Sequence, residues 1–213
     1  MIIYMYKLLA ITNRHLCNNN FLEQIENICV LNEKNTVISS VSIVLREKDL
    51  PENDYKDLAA KILKICKKNN TDCILHTYYN AAIELNCKKI HLPLHVLKLN
   101  PQIYKEFNEI GVSIHSVSEA IEAVNLGATY ITAGHIFATD CKKDLTPRGL
   151  SFLSAVCNSV NIPVYAIGGI SPENAQKTIN AGAAGICIMS GLMNCKILWY
   201  CLNSIFKARK YSK

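Results

Sequence analysis

Short runs of β-branched and apolar residues recur along the chain, and helical patterns lie between most of them. Eight such runs predict strands, which in chain order are Leu8–Thr12, Ser40–Leu45, Cys73–His76, Lys89–Leu92, Val112–His115, Tyr130–Ala133, Val164–Ile167 and Gly185–Met189. Strands that alternate with helices are typical of parallel α/β folds. Eight of them predict a closed (β/α)8 TIM barrel. A doubly wound open sheet is the alternative, although no G-x-G-x-x-G motif follows the first strand.

Amphipathic helical patterns connect the predicted strands. They include Phe21–Leu31, Asn53–Lys67, the short Ala81–Leu85 and Val117–Leu126. Ser116 precedes the last of these and Glu119 follows three residues later, which is a capping box. Ser171 followed by Pro172 predicts another helix start, because proline is favoured at the first helical position.

The size and charge of the chain narrow its class. Its 213 residues are 50% hydrophobic, enough for one substantial core, so we predict a single domain spanning residues 1–213. The formal net charge of +6 comes from scattered lysines, without a basic stripe or a helix-turn-helix, so no nucleic-acid partner is expected. This mild excess would suit an anionic substrate.

The ends of the chain and its cysteines bear on location. Met1–Tyr6 is apolar but has no basic region or cleavage site, so a signal peptide is not expected. The apolar run Gly185–Phe206 is interrupted by polar residues and predicts a buried strand plus an amphipathic helix, with no membrane partner. The ten cysteines form no C-x-x-C pair, so we predict reduced thiols and a cytoplasmic protein.

Histidines mark the ends of four predicted strands. They are His76, His91, His115 and His135. Barrel enzymes carry catalytic groups at the carboxyl ends of their strands. For any one histidine alone a simple polar cap is the plainer interpretation, and a metal cluster is disfavoured because no acidic ligand lies beside them. His135 differs, since it lies between Gly134 and the apolar pair Ile136-Phe137, which would desolvate it.

Two glycine-containing turns follow the last two predicted strands. Gly168-Gly169 opens a helical segment after the seventh strand, and Ser190-Gly191 follows the eighth. Barrels often bind phosphate with backbone N–H groups in these two loops. The alternative is that both are tight turns that need glycine for a positive φ. We favour the phosphate site, and hence a small phosphorylated substrate.

Four motifs together resemble one known family. They are GHIFATDCKK at 134–143, RG at 148–149, AIGG at 166–169 and MSG at 189–191. In combination they are similar to the thiazole tautomerases of the TenI family, a sister group of the thiamine phosphate synthases within one barrel superfamily. The resemblance runs from LLAIT at 8–12, through LREK at 45–48 and VSIHS at 112–116, to the C-terminal helix, so it covers nearly the whole chain.

Several positions depart from the synthase pattern. The synthases bind Mg²⁺ and a diphosphate, with an Asn-Asp pair after the third strand and another acidic residue past the fourth. Here these positions are His76-Thr77 and the stretch 93–96, without a carboxylate, although Mg²⁺ requires carboxylate oxygens. Val44, His135 and Cys141 replace a glutamine, a proline and a threonine. The resemblance therefore implies the tautomerase branch.

The resemblance implies an isomerase of thiamine biosynthesis that aromatises a carboxythiazole phosphate. A proton leaves carbon 2 of the ring and one is added at the exocyclic carbon, without a metal or a redox cofactor. Histidine accepts and donates protons near neutral pH. We therefore predict that His135 removes the ring proton and helps to return it.

The resemblance also implies binding residues. Phosphate contacts are expected from backbone amides of Gly168, Gly169, Ser190 and Gly191, and thiazole-phosphate contacts from Ser113 and Thr139. Lys142 would pair with the substrate carboxylate or phosphate. Arg46 and Lys48 would bind the ligand or form a strand-end salt bridge with Glu47 or Asp49. Cys141 is a second proton carrier or an inert thiol.

Other functions stay open at this point. One is the Mg²⁺-dependent synthase reaction, which couples a pyrimidine diphosphate to the thiazole phosphate. Another is a non-catalytic homologue that only binds thiazole phosphate, and an unrelated phosphosugar isomerase is open on the fold alone. The sequence does not define an oligomeric state, so a homo-oligomer stays open too.

Overall fold

Eight parallel strands pair in chain order and close into a barrel, because β8 pairs back onto β1. The computed structural model describes residues 6–31, 38–142, 145–171 and 173–195. The strands are β1 (Tyr6–Ile11), β2 (Ile38–Leu45), β3 (Asp72–His76), β4 (Lys89–Pro93), β5 (Glu109–Ile114), β6 (Tyr130–Gly134), β7 (Val164–Ile167) and β8 (Gly185–Ile188). Closure confirms the predicted (β/α)8 barrel and rules out an open sheet.

Helices follow the strands and form the outer layer. They are α1 (Phe21–Cys29), α2 (Glu52–Lys68), α3 (Tyr79–Glu84), α4 (Leu94–Leu99), α5 (Val117–Asn125), α6 (Gly149–Ser159), α7 (Ala175–Asn180) and α8 (Ser190–Met193). In the described part of the chain, 3₁₀ turns also occur at Arg14–Leu16, Pro101–Lys105 and Asp140–Lys142. The large core lies between this layer and the barrel wall.

One of the two helix starts predicted from capping residues is confirmed. The Ser116 hydroxyl accepts a hydrogen bond from the Glu119 N–H at 3.1 Å, as the capping box predicts. The predicted start at Ser171 is wrong: α7 begins at Ala175, and the Asn174 side chain accepts from the Ser171 N–H at 2.8 Å. This bond holds the loop before α7 in a turn. Pro172 lies outside the described residues, as does the predicted helix beyond Cys195.

The barrel interior has a second, smaller core. It is made of Leu9, Ile11, Val44, Ile74, Tyr130 and Cys187, from alternate strand positions. Above it, at the carboxyl ends of the strands, the register aligns His76 with His91, and Ser113 with both Pro93 and Thr132. The interior is thus apolar below and polar above.

The cysteines fit a reduced protein in most positions. Cys17, Cys29, Cys66, Cys73, Cys87, Cys157 and Cys187 carry free thiols. Cys195 is disulfide-bonded, so the expectation of reduced thiols fails at that residue. Burial raises the pKa of Cys187, which keeps this thiol protonated in the barrel floor. Among the described helices, none is both long and apolar enough to cross a membrane.

Candidate active site

A cavity of about 730 Å³ opens at the carboxyl ends of the strands. All ten residues that the sequence analysis assigned to a site line this cavity: Arg46, Lys48, Ser113, His135, Thr139, Lys142, Gly168, Gly169, Ser190 and Gly191. They come from the loops or ends of five strands. Parallel strands bring such distant segments to one face of a barrel, which is why these residues meet in one cavity.

His135 is the buried imidazole of this cavity. Only 5% of the residue is exposed. Its Nε2 lies 3.1 Å from the carbonyl oxygen of Leu145. A carbonyl only accepts hydrogen bonds, so Nε2 carries the proton that it donates, and Nδ1 of the neutral ring is the acceptor. The ring therefore has one nitrogen held by the protein and one available as a base.

The loop that carries His135 is fastened to the loop after β7. The Ile136 N–H donates to the Ile167 carbonyl at 2.9 Å, and the Phe137 N–H donates to the Gly168 carbonyl at 3.0 Å. On the other side, the Arg148 N–H donates to the His135 carbonyl at 3.0 Å. These bonds fix the backbone on both sides of the imidazole.

Gly168 and Gly169 have conformations and neighbours that favour glycine. Their φ angles are +96° and +63°. A Cβ at Gly168 would lie 2.8 Å from the Cα of His135, and one at Gly169 would lie 2.8 Å from the Phe137 carbonyl oxygen. The tight-turn interpretation therefore accounts for both glycines without a ligand. Their place at the cavity wall also leaves the phosphate role open as a prediction.

Ser190-Gly191 has a different geometry from the one the tight-turn alternative expects. Gly191 is absent from the positive-φ residues of the described chain. The pair forms the first turn of α8, where Leu192 and Met193 N–H groups already donate to the Met189 carbonyl. The N–H groups of a first turn have no acceptor within their own helix. The N–H groups of Ser190 and Gly191 therefore make no bond within α8, and both residues line the cavity.

Arg46 and Lys48 follow β2 and point to the cavity without an acidic partner. The salt bridge with Glu47 or Asp49, which was the alternative to ligand binding, does not form. Both carboxylates pair with Arg14 instead, at 3.1 Å and 2.5 Å. No ion pair involves Arg46 or Lys48 in the part of the chain that the structure describes. Partial desolvation and the nearby Arg46 charge lower the pKa of Lys48.

The Glu47 carboxylate already has hydrogen-bond partners other than Arg46 and Lys48. It is 2% exposed and accepts from the Thr12 hydroxyl at 2.6 Å and from the Arg14 backbone N–H at 3.1 Å. Hydrogen bonds from Arg14 and then from His15 hold the pKa of the Asp49 carboxyl well below its usual range. This network joins the ends of β1 and β2, so its role is structural. The pairing could not be read from the sequence because the partners are 33 to 35 residues apart.

The sequence analysis did not predict a buried network of side-chain hydrogen bonds around His91. His91 Nδ1 lies 2.9 Å from the Tyr130 hydroxyl and its Nε2 lies 2.8 Å from the Ser113 hydroxyl. The Thr132 hydroxyl donates to the Ser113 oxygen at 3.2 Å. The network fixes the Ser113 side chain at the cavity wall. Its signal in the sequence is a polar residue at the inward position of three successive strands.

His76 stacks on His91, with ring centroids 5.3 Å apart. Its Nδ1 lies 2.6 Å from the Thr77 hydroxyl. Burial, the second imidazole and the charges of Lys48 and Arg46 keep the pKa of His76 well below its ordinary value. Burial and the same two charges lower the pKa of His91 to about 3. Both rings are therefore neutral, and they form an uncharged wall at the ends of β3 and β4.

His115 lines the cavity at its mouth and contacts Gly134, the residue before His135. It follows β5, and its Nδ1 is 2.9 Å from the carbonyl oxygen of Gly134. Its own backbone N–H donates to the Glu119 carboxylate. The carbonyl again requires that Nδ1 carries the proton, which leaves Nε2 as the acceptor of the neutral ring.

Carboxylates are scarce around the cavity. Among the described residues that line it, only Glu119 and Glu122 are acidic, and both lie on α5. Glu119 accepts from the His115 N–H, and Glu122 pairs with Lys98 at 2.8 Å. The ends of β3 and β4 present His76, Pro93, and further on Leu94 and His95. Within the described chain, no group of three or more metal-ligating side chains is arranged to hold a metal ion.

Two of the predicted site residues lie in the segment after β6. Thr139 and Lys142 line the cavity from the segment after β6. Lys142 has no ion-pair partner among the residues that the structure describes. The Cys141 side chain, like residues 143–144, lies outside the description, so its two proposed roles stay open.

Comparisons with known proteins agree with one another. Residues 8–192 match the family described as thiamine monophosphate synthase. The chain is 33% identical over 193 residues to the thiamine-phosphate synthase of Clostridium acetobutylicum, covering 89% of this chain and 88% of that protein. It is 33% identical over 187 residues to the putative thiamine-phosphate synthase 2 of Aquifex aeolicus, covering 86% and 96%.

A solved structure gives the same fold. The thiamine phosphate pyrophosphorylase from Pyrococcus furiosus superposes with a TM-score of 0.74 at 24% identity, covering 95% of this chain and 94% of that one. At this identity the likeness concerns the fold. The family match and the two relatives at 33% identity confirm the superfamily of the predicted resemblance, whereas the relatives carry the name of the synthase and not of the tautomerase.

Proposed function

The chain belongs to the thiamine monophosphate synthase family, and from that premise we propose that it is a thiazole tautomerase. Its substrate would be a carboxythiazole phosphate that is not yet aromatic. The observation that carries the proposal is His135, a buried imidazole with Nε2 held by the Leu145 carbonyl and Nδ1 left as a base. A proton shift between two carbons requires such a group and little else.

The charges of the cavity support a substrate with two anionic groups. Arg46, Lys48 and Lys142 line it without an ion-pair partner among the described residues. A phosphate and a carboxylate would neutralise such cations. We propose that the amides of Gly168, Gly169, Ser190 and Gly191 bind the phosphate. Ser113 and Thr139 would contact the same ligand.

His135 would act on the ring in this arrangement. Nδ1 removes the proton from carbon 2, and the electron pair moves through the ring toward the exocyclic double bond. The Leu145 carbonyl stabilises the imidazolium, because it keeps accepting from the Nε2–H. A proton then reaches the exocyclic carbon, and the ring becomes aromatic.

The second candidate is the thiamine-phosphate synthase reaction. The names of the relatives favour it. That reaction implies Mg²⁺ on a diphosphate, and Mg²⁺ is bound through carboxylates together with substrate oxygens. The ends of β3 and β4 offer imidazole, hydroxyl and proline instead. The only cavity carboxylates among the described residues, Glu119 and Glu122, are on α5 and already have partners. The donor set of the described cavity residues does not fit that ion.

The test follows the ultraviolet absorbance of the aromatic thiazole in buffer with EDTA. We expect the wild-type protein to convert the non-aromatic carboxythiazole phosphate. His135→Ala should lose about 10²- to 10⁴-fold of the rate, the usual contribution of a positioned acid–base. His135→Gln is the matched variant, because its amide can still donate to the Leu145 carbonyl but cannot accept a carbon-bound proton.

The control and the competing reaction complete the design. His15 is exposed and lies outside the cavity, so His15→Gln should keep the wild-type rate. Pyrimidine diphosphate and thiazole phosphate with Mg²⁺ are assayed in parallel for thiamine phosphate. Coupling in that assay, with no tautomerisation in the first, would replace our proposal with the synthase.

A further inference from the structure

The His115 ring contacts the backbone of the segment that carries His135. Strands β5 and β6 are neighbours, and Ile114 pairs with Ala133. This register puts the residue after β5 beside the end of β6. The Nδ1 of His115 donates to the carbonyl oxygen of Gly134 at 2.9 Å, and Gly134 directly precedes His135. The two imidazoles therefore flank the same strand end, inside one cavity.

The two rings are prepared in complementary ways. In each, a backbone carbonyl fixes which nitrogen is protonated: Nε2 in His135 and Nδ1 in His115. The remaining nitrogen of each has no hydrogen-bond partner among the described residues. His135 is buried, whereas His115 is exposed at the mouth. One ring is thus sheltered from water, and the other can exchange protons with it.

The proposed reaction needs two proton transfers at two different carbons. One C–H bond breaks at carbon 2 of the ring and another forms at the exocyclic carbon. A single base would have to reach both positions. We propose that His115 is a second acid–base group, which delivers the proton to the exocyclic carbon while His135 removes the ring proton. This inference rests on the proposed function.

The protons and electrons balance in this scheme. His135 enters neutral and His115 enters as the imidazolium, with Nε2 protonated from solvent. The electron pair of the broken C–H bond becomes part of the aromatic ring, and the exocyclic double-bond pair takes the proton of His115. His135 leaves as the imidazolium and His115 as the neutral ring. Proton exchange with water then restores both.

The surroundings of His115 support a fixed position for the ring. Its backbone N–H donates to the Glu119 carboxylate, and the Ser116 hydroxyl caps α5 by accepting from the Glu119 N–H. The ring is therefore held at its backbone and at Nδ1. Only Nε2 is left for a ligand.

The test uses His115→Asn, whose side-chain nitrogen takes the place of Nδ1. This variant keeps a donor for the Gly134 carbonyl and removes the acid–base nitrogen. We expect the tautomerisation rate to fall about 10²- to 10⁴-fold, with an unchanged circular dichroism spectrum. His115→Ala should regain part of its rate when imidazole is added, because the exposed site admits a free ring. A loss smaller than tenfold in His115→Asn overturns the inference, as does a slow His115→Ala that imidazole cannot rescue.

An isotope experiment separates the two histidines. Substrate with deuterium at ring carbon 2 is converted by the wild-type protein in ordinary water. A proton from His115 comes from solvent, so the exocyclic carbon of the product should contain no deuterium. Deuterium at that carbon would mean that one base carries the proton across, and the inference would fall. A wild-type protein without tautomerase activity would instead overturn the proposed function, and this inference with it.

Discussion

His91 links the cavity to the stability of the protein through one buried ring. Burial and the charges of Lys48 and Arg46 lower the pKa of His91 to about 3. An unfolded histidine titrates near 6.5. Between about pH 6.5 and 3, the His91 imidazole is protonated in the unfolded chain but stays neutral in the folded chain. The free energy of unfolding therefore falls as the pH drops from about 6.5 toward 3, and it has no contribution from His91 above that range.

We expect His91→Gln to flatten this pH dependence. Each histidine of this kind contributes a slope of up to about 1.4 kcal/mol per pH unit inside its window. Urea unfolding at several pH values between 7.5 and 4 measures the slope for the variant and the wild type. His76 shares the lowered pKa, so part of the slope should remain. The exposed His95 serves as control, and His95→Asn should leave the slope as it is.

The candidate chemistry of single residues could be anticipated better than their partners. The ten predicted site residues line one cavity, because strand ends are recognisable in sequence and the barrel gathers them. The Leu145 carbonyl that fixes the His135 tautomer and the Gly134 carbonyl that fixes the His115 tautomer could not be anticipated. Such contacts depend on where loops return in space. The salt-bridge alternative for Arg46 and Lys48 fails for the same reason, since Arg14, which pairs with Glu47 and Asp49, comes from another loop.

At the scale of elements, α5 positions the cavity mouth through its first turn. The Ser116 hydroxyl accepts from the Glu119 N–H, and the Glu119 carboxylate accepts from the His115 N–H. We expect Ser116→Ala to lower the free energy of unfolding by about 1 kcal/mol, the usual contribution of such a cap. Urea denaturation measures this change.

The matched control is Ser151→Ala, at an exposed position in the first turn of α6. A surface substitution of this kind usually stays within about 0.5 kcal/mol. An equal effect of both substitutions would contradict a capping role for Ser116. If the cap also positions His115, Ser116→Ala should slow the proposed tautomerisation, while Ser151→Ala should not.

Local sequence patterns predicted the bounds of some helices and strands closely and those of others poorly. The predicted β7, Val164–Ile167, has the observed bounds, and α2 extends the prediction by one residue at each end. The predicted β5 began at Val112, but the strand begins at Glu109, because Glu109 and Ile110 pair with Lys89 and Ile90 of β4. Pairing of that kind lies outside any local pattern. No bounds were predicted for α4, which starts directly after Pro93.

At the scale of the whole molecule, the barrel closes through one seam between its first and last strands. Lys7, Leu8, Leu9 and Ala10 of β1 pair with residues 185–188 of β8. A closed barrel has no edge strand, so the loss of one pairing affects every strand in the ring. The predicted single domain should therefore unfold as one cooperative unit.

Gly185 is the position where this seam can be tested. A Cβ there would lie 2.5 Å from the Lys7 carbonyl oxygen and 2.7 Å from the Tyr165 ring. Since overpacking in a core typically costs about 1–3 kcal/mol, we expect Gly185→Ala to lower the stability by that amount. Tyrosine fluorescence and far-ultraviolet circular dichroism should report the same single urea transition, and Lys64→Ala, on the exposed side of α2, should match the wild type. Two separate transitions would contradict unfolding as one cooperative unit. A Gly185→Ala variant with wild-type stability would contradict tight packing at the β1–β8 seam.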